Sequence, residues 1–246
     1  MKKILLTLLL LTACSTSIAQ EKAREVFLTT IEYPPYVDSN QIDNGYVAHI
    51  VKRSFAEENI DVTILFRPWA RGLKGTINGT FTGVFPTFKT KERLKDLLYS
   101  DIIDYNILTY IARSEDQGKI ERLNGDIKSL RLGLVNGYAN TAAIDNNDNL
   151  TKDFALDDVN NINKLCRNRV DLIVIDLYVF KSLYKKGRFK DCPKIKPILQ
   201  PLAYKPFYLT FNKNDEHAKE YREKFNRGLE KVKKQMDRIK KNYQLD

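Results

Sequence analysis

An α/β fold of two lobes is the class this sequence predicts, and three observations carry it. Short apolar runs alternate with helical periodicities along the chain, the pattern of strands and helices that share largely parallel sheets. The alternation occurs twice, with extended crossings between the two sets, which implies two lobes and a cleft. Proline stops several apolar runs, at Pro34-Pro35, Pro68 and Pro86, because it cannot supply a ladder N–H. Ligands of open α/β sheets bind beyond the carboxyl ends of strands. Three such ends carry unusual chemistry: Tyr33-Pro34-Pro35-Tyr36, Phe85-Pro86-Thr87 and Asp176.

Each element follows from local pattern. Glu25 to Thr30 reads as the opening strand. Asp43-Asn44-Gly45 is a turn that starts a helix, since Val47, Ile50, Val51, Ser54 and Phe55 recur at steps of three and four. Val62 to Phe66 is a second strand, Trp69 to Ile77 a helix broken at Asn78-Gly79, and Thr82 to Phe85 a third strand. Lys91 to Leu98 is a short helix, Asn106 to Ala112 a strand, and Arg113 to Gly125 a polar stretch. The second set opens with a strand from Arg131 to Val135, a turn at Asn136-Gly137 and a helix from about Tyr138. Val159 to Cys166 is helical, Asp171 to Asp176 a buried strand, and Leu177 to Lys186 a helix. Pro193, Pro197 and Pro201 punctuate the next segment, and Phe207 to Phe211 is a last strand. Tyr221, Phe225, Leu229, Val232, Met236, Ile239 and Tyr243 then mark one long amphipathic helix.

The first 19 residues have the character of an export leader. Lys2 and Lys3 precede an apolar run, Ile4 to Leu11, too short to span a bilayer, and Ser17-Ile18-Ala19 offers small residues to a signal peptidase. Release as a soluble periplasmic chain is the expectation. The alternative is a lipid anchor at Cys14, because Leu11-Thr12-Ala13-Cys14 resembles a lipobox. Outside the leader, Cys166 and Cys192 form an even pair in an oxidising compartment and predict a disulfide, worth roughly 3 kcal/mol; the alternative is two buried thiols. The formal charge of +10 is spread among acids, most visibly across 215–241, and reads as a solvated surface. No arginine-rich arm, zinc-finger spacing or RNP-like aromatic motif points to nucleic acid.

Catalytic patterns are weak. His49 and His217, the two histidines, suit surface or structural roles, and no nucleophile elbow, HExxH or Walker motif occurs. The sequons at Asn78 and Asn149 are accidental in a bacterial-looking chain. No cofactor and no metal is expected. Binding patterns are stronger. Tyr33, Tyr36 and Trp69 offer flat walls, Arg93 a fork matched to a carboxylate, and Asp176 a counter-charge for an ammonium. Each has an ordinary alternative: Trp69 in the core, Arg93 on a solvated helix, Asp176 as a helix N-cap.

The order Tyr33-Pro34-Pro35-Tyr36, Gly45 and a helix, Pro68-Trp69, Thr90-x-Glu92-Arg93 and Tyr99-Ser100 resembles the bacterial extracellular solute-binding proteins of family 3. Leu132-Gly133-Leu134-Val135-Asn136-Gly137 and the strand from Asp171 to Asp176 extend the resemblance over nearly the whole exported chain. It implies a type II periplasmic binding protein fold with a two-strand hinge, lobe one being 24–111 plus 206–246 and lobe two 112–205. It further implies that Arg93 pairs with a ligand α-carboxylate, that Asp176 takes the α-ammonium, and that Tyr33 and Trp69 sandwich the side chain. Thr87 at its strand end and Asn140 after Gly137 complete the expected ligand set, with Arg71 as the substitute anchor. Two departures stand out: Tyr138-Ala139-Asn140 replaces a small hydroxyl residue after the glycine, and Gly83-Val84-Phe85-Pro86 lacks the usual aspartate. Pro68-Trp69-x-Arg71 resembles a divergent branch. The function implied is capture of a small polar ligand, an amino acid or related carboxylate, by a monomer that serves an inner-membrane ABC permease. The rivals are a sensory module presenting its closed form to a receptor, and a dehydratase-type enzyme on the same fold.

Overall fold

The computed structural model describes residues 25–187 and 189–243. The expected leader, with Cys14, lies outside them. In lobe one, β1 (Glu25–Thr30) pairs in parallel with β2 (Asp61–Phe66) and β3 (Gly83–Thr87). The end of a long strand, β9 (Ile195–Asn212), lies antiparallel to β3 and to the short β4 (Leu97–Tyr99). In lobe two, β6 (Arg131–Val135) pairs in parallel with β7 (Thr151–Ala155) and β8 (Leu172–Asp176), and β8 is antiparallel to β5 (Asp104–Arg113). The resulting order is β2-β1-β3-β9-β5-β8-β6-β7.

β5 and β9 are the two crossings. They pair with each other from Asp104 opposite Phe207 to Arg113 opposite Ile195. The two lobes are thus joined by one antiparallel ribbon.

Helices cover both sheets. In lobe one, α1 (Tyr46–Ala56) turns Val47, Ile50, Val51, Ser54 and Phe55 inward, the spacing read from the sequence. α2 (Trp69–Ile77) starts just after Pro68, and α3 (Arg93–Asp96) is a single turn. α8 (Ala218–Lys233) crosses α1 closely: a Cβ on Gly228 would lie 1.8 Å from the Ser54 carbonyl oxygen. α9 (Met236–Asn242) is the last described helix. Lobe two carries α4 (Gln117–Arg122), α5 (Ala142–Asp145), α6 (Asp158–Cys166) and α7 (Leu177–Lys185). Cys166, at the end of α6, is disulfide-bonded to Cys192, with Cα atoms 4.9 Å apart. No described helix is long and apolar enough to cross a membrane.

Several expectations are corrected. Leu97 and Leu98 leave the helix expected over Lys91–Leu98 and form β4 with Tyr99, because this backbone finds a partner in β9. The helix expected from Tyr138 starts at Ala142, after Asn140 has bonded to Asp145. β7 was not foreseen, and α4 lies inside the stretch read as polar connection. The last strand begins at Ile195 rather than Phe207 and runs through Pro197, Pro201 and Pro206. Before Phe207 it pairs on one side only, with β5, so missing N–H groups are tolerated as on any edge. The tail is two helices, since Lys234 and Gln235 separate α8 from α9. The sheets are also less parallel than expected, the ribbon strands and β4 running antiparallel to their neighbours.

Candidate functional site

The carboxyl ends of β1 and β3 in lobe one face those of β6 and β8 in lobe two, and the segments after these strands form the cleft walls. Arg93, in the first turn of α3, is 8% exposed. One guanidinium nitrogen donates to the Phe88 carbonyl at 2.8 Å, and the other reaches across to the Gly137 carbonyl of lobe two at 2.7 Å. The guanidinium lies over the Trp69 ring, 5.4 Å from its centroid, and Trp69 Nε1 donates to the same Gly137 carbonyl at 2.8 Å. Gly137 has φ of 75°, a left-handed conformation that also allows close approach, since a Cβ there would stand 3.3 Å from the Trp69 ring. No carboxylate pairs with Arg93 among the described residues; neutral carbonyls alone receive its two bonds. Burial works against its charge and draws its pKa down.

A second cation stands nearby. Lys205, on the crossing strand β9, donates to the carbonyls of Ala139 and Asn140 and sits 4.6 Å from the centre of the Phe88 ring. Burial brings its ammonium down to about 8, against the pull of Asp145.

Aromatic rings line the space between. Tyr33 stacks on Tyr36 at 5.6 Å and meets Tyr138 edge-on at 6.2 Å, while Trp69 meets Tyr138 edge-on at 6.1 Å. The cavity bounded by Tyr33, Trp69, Arg93 and Tyr138 measures about 20 Å³, room for roughly one water. It adjoins a cavity of about 500 Å³ toward Pro34, Asp38, Asp158 and Lys186, the two sharing Ile31. On its other side a cavity of about 500 Å³ reaches Thr90, Asn140, Asp145 and Lys152. The lobes also meet through an ion pair, Lys186 Nζ to Asp38 Oδ2 at 2.6 Å, which holds the Asp38 carboxyl below its ordinary range even though burial raises it.

The expected ligand residues fall into two groups. Tyr33, Trp69 and Arg93 are brought together on one cavity. Asn140 borders the next cavity, where its amide and backbone N–H both donate to Asp145 at 2.9 Å. Asp176 is 1% exposed, and its oxygens accept from four donors: the N–H groups of Tyr178 and Val179, which makes it the N-cap of α7, the N–H of Ile107, and the Tyr36 hydroxyl at 3.3 Å. Burial outweighs these donors and lifts its pKa to about 6. Thr87 is fully buried, its hydroxyl donating to Val84 and touching Thr210 inside the sheet. Arg71 is exposed on α2. His49 bonds to the Tyr243 hydroxyl at 2.9 Å, within lobe one.

Lys205, Tyr138, Asp158 and Lys186 are cleft residues that sequence reasoning missed. A signal for Asp158 was present. It falls on the stripe of Ile162 and Leu165, where an apolar residue belongs. Its neighbour Asp157 already caps α6 by accepting from the Asn160 N–H, and the helix dipole, which favours an acid in the first turn, does not require that acid to be buried, as Asp158 is.

No protein-family model matches the chain, and no curated protein matches it. Solved structures do. An amino acid ABC transporter substrate-binding protein from Streptococcus pneumoniae, bound to L-arginine, superposes with a TM-score of 0.74 at 16% identity, covering 89% of this chain and 94% of that one. A histidine kinase sensor domain with similarity to periplasmic binding proteins gives a TM-score of 0.77 at 15% identity, covering 91% and 97%. The GluR0 ligand-binding core from Nostoc punctiforme, in complex with L-glutamate, gives 0.71 at 15% identity, covering 90% and 100%. The fold is therefore the two-lobed periplasmic-binding-protein fold with two connecting strands, one shared by transport and sensory ligand-binding modules.

Proposed function

We propose that this chain is an exported solute-binding protein related to family 3, and that it captures a small carboxylate-bearing ligand, an amino acid or a close relative, for an ABC importer. The observation that carries the reading is Arg93: a buried guanidinium, laid on Trp69, whose two hydrogen-bond partners, Phe88 beside it and Gly137 across the cleft, are carbonyl dipoles rather than a paired counter-ion. Burying a cation without an anion is costly, and a ligand carboxylate would supply the missing charge in bidentate form. The Gly137 carbonyl occupies that position while the cleft is closed on itself. The 20 Å³ interior is too small for an amino acid, so capture requires the lobes to part and reclose about the ribbon of β5 and β9. With lobe one as 24–111 plus 206–246 and lobe two as 112–205, the hinge falls within those two strands. Closure around the ligand is then a population shift, because only the closed form touches it from both sides.

Tyr33 and Trp69 serve as walls in this reading, and Asp176 holds the cleft wall and Tyr36 in place. The likeness to a histidine kinase sensor domain supports a second reading, in which the closed form is presented to a receptor instead of a permease. In either case the chain has no chemistry of its own and is exported as a released monomer, or as a form anchored at Cys14. Mass spectrometry of small molecules that co-purify with the native protein tests the proposal. A carboxylate-bearing compound is the expected result, and a ligand without an anionic group would overturn it. Pull-down of a permease or of a receptor kinase from a membrane extract then separates transport from sensing.

A further inference from the structure

Asp158 is the one cleft carboxylate whose hydrogen bonding is incomplete among the described residues. It is 3% exposed, its Oδ2 accepts from the Tyr138 hydroxyl at 3.0 Å, and its Oδ1 is sealed from water with no donor among those residues. Buried carboxylate oxygens without donors are rare, because each forfeits its hydration for nothing. The other acids on the same 500 Å³ cavity are engaged: Asp38 with Lys186, Asp157 with Asn160, and Glu32 with the Ser39 N–H. The cavity is walled by Pro34, Phe66, Pro68 and Leu183. It joins the Arg93 cavity at Ile31, with Tyr33 and Tyr138 between the two charges. The cleft is thus electrically polar along its length, cationic at Arg93 and anionic at Asp158.

We propose that Asp158 forms a subsite for a cationic nitrogen carried at the end of the ligand away from its carboxylate, so that the ligand is a small carboxylate with a distal amine or guanidine. This rests on reading Arg93 as the carboxylate anchor. Asp176 does not compete for that nitrogen, since its four acceptor positions are filled from within the protein. The ligand's N–H groups would give Asp158 Oδ1 its donor and its counter-charge together. The groups facing Asp158 are Tyr138 after β6, Asp157 on its own helix start, Asp176 at the end of β8 and Tyr33 after β1. The two cations on the same cavity are engaged elsewhere, Lys186 with Asp38 and Arg67 with the Phe66 carbonyl, so no cation is paired with Asp158 among the described residues. Burial lifts its pKa to about 7. Binding of a permanently charged amine should therefore strengthen roughly tenfold between pH 6 and pH 8, as the carboxyl ionises.

Calorimetry on the full exported chain tests this, with L-lysine, L-arginine and 5-aminopentanoate as probes and with L-norvaline and pentanoate, which lack the distal cation, as controls. At least one of the first three should bind wild type, lose tenfold or more in Asp158→Asn, and lose its pH dependence there. The controls should be indifferent to the substitution. Tyr138→Phe keeps the carboxylate and removes its internal donor, so the pH midpoint of binding should rise; this variant carries the test if Asp158→Asn fails to fold. Equal binding of a distal-cation probe to wild type and Asp158→Asn, an unmoved midpoint in Tyr138→Phe, or binding of the controls alone would overturn the subsite while leaving the Arg93 reading intact. Wild type that binds none of the five also overturns it, and the Arg93 reading falls with it only if the co-purified molecule lacks a carboxylate.

Discussion

Arg93 and Asp158 carry opposite charges and opposite consequences for stability. The carbonyls that receive Arg93 each have a second donor: Phe88 accepts from the Tyr99 hydroxyl at 3.2 Å and Gly137 from Trp69 at 2.8 Å. Removing the guanidinium leaves neither carbonyl orphaned, and Arg93→Ala should change the ligand-free stability by only about 1 kcal/mol. Asp158 behaves differently. Its folded-state pKa of about 7 lies above its ordinary 3.8, so the folded protein holds the proton more tightly than the unfolded chain. The stability this contributes is complete below about pH 4 and is lost as pH rises through about 7, a span worth roughly 4 kcal/mol. Asp176, raised to about 6, slopes the same way. Urea unfolding from pH 4 to pH 8 should show stability falling with pH in wild type and falling less in Asp158→Asn. Equal slopes would mean that Asp158 titrates normally. Of these site residues, Arg93 was legible in the sequence because a cation at a helix start lacks a helix-electrostatic reason to be there. Asp158 was legible only as an acid on an apolar stripe. For Asp176 the N-cap bonds to Tyr178 and Val179 were legible as its ordinary alternative, whereas the donors Ile107 and Tyr36 were not, because they come from elements distant in the chain.

At the scale of elements, local pattern located what local forces decide. α1, α2, α6 and α7 follow the apolar spacing, and β1, β2, β6 and β8 follow the apolar runs. β4 and the first half of β9 escaped notice because pairing rather than composition makes them strands. β4 is three residues long, and β9 carries three prolines that only an edge can hold. The contact of α1 with α8 depends on one missing side chain. Gly228→Ala gains about 1 kcal/mol of helix propensity, yet its methyl must displace the Ser54 backbone, and overpacking against backbone costs about 2 kcal/mol or more. A melting temperature lowered by several degrees is expected. An unchanged or raised value would show that the two helices slide apart without penalty.

For the whole molecule, the ribbon of β5 and β9 joins the lobes, the Lys186–Asp38 ion pair and the bonds to the Gly137 carbonyl bridge them, and the disulfide lies within lobe two. Cys166 and Cys192 both belong to lobe two and are separated by 26 positions, so the bond stiffens that lobe without tying it to lobe one. Cys166→Ser with Cys192→Ser should cost roughly 3 kcal/mol of stability and leave ligand affinity nearly unchanged. A large loss of affinity without unfolding would place the bond in the closing motion instead. The ion pair does join the lobes, and Lys186→Ala should enlarge the radius of gyration of the ligand-free protein in small-angle scattering as the open form gains population. The ligand-bound radius should stay that of wild type.

The central claim is that a ligand carboxylate replaces the Gly137 carbonyl on Arg93. Calorimetric titration of wild type, Arg93→Lys and Arg93→Ala with the co-purified ligand tests it most directly. Lysine keeps the charge and loses the fork, so affinity should drop at least tenfold in Arg93→Lys and become unmeasurable in Arg93→Ala, with both variants folded. Wild-type affinity in folded Arg93→Ala would contradict the account and leave Lys205 as the cation that holds the ligand.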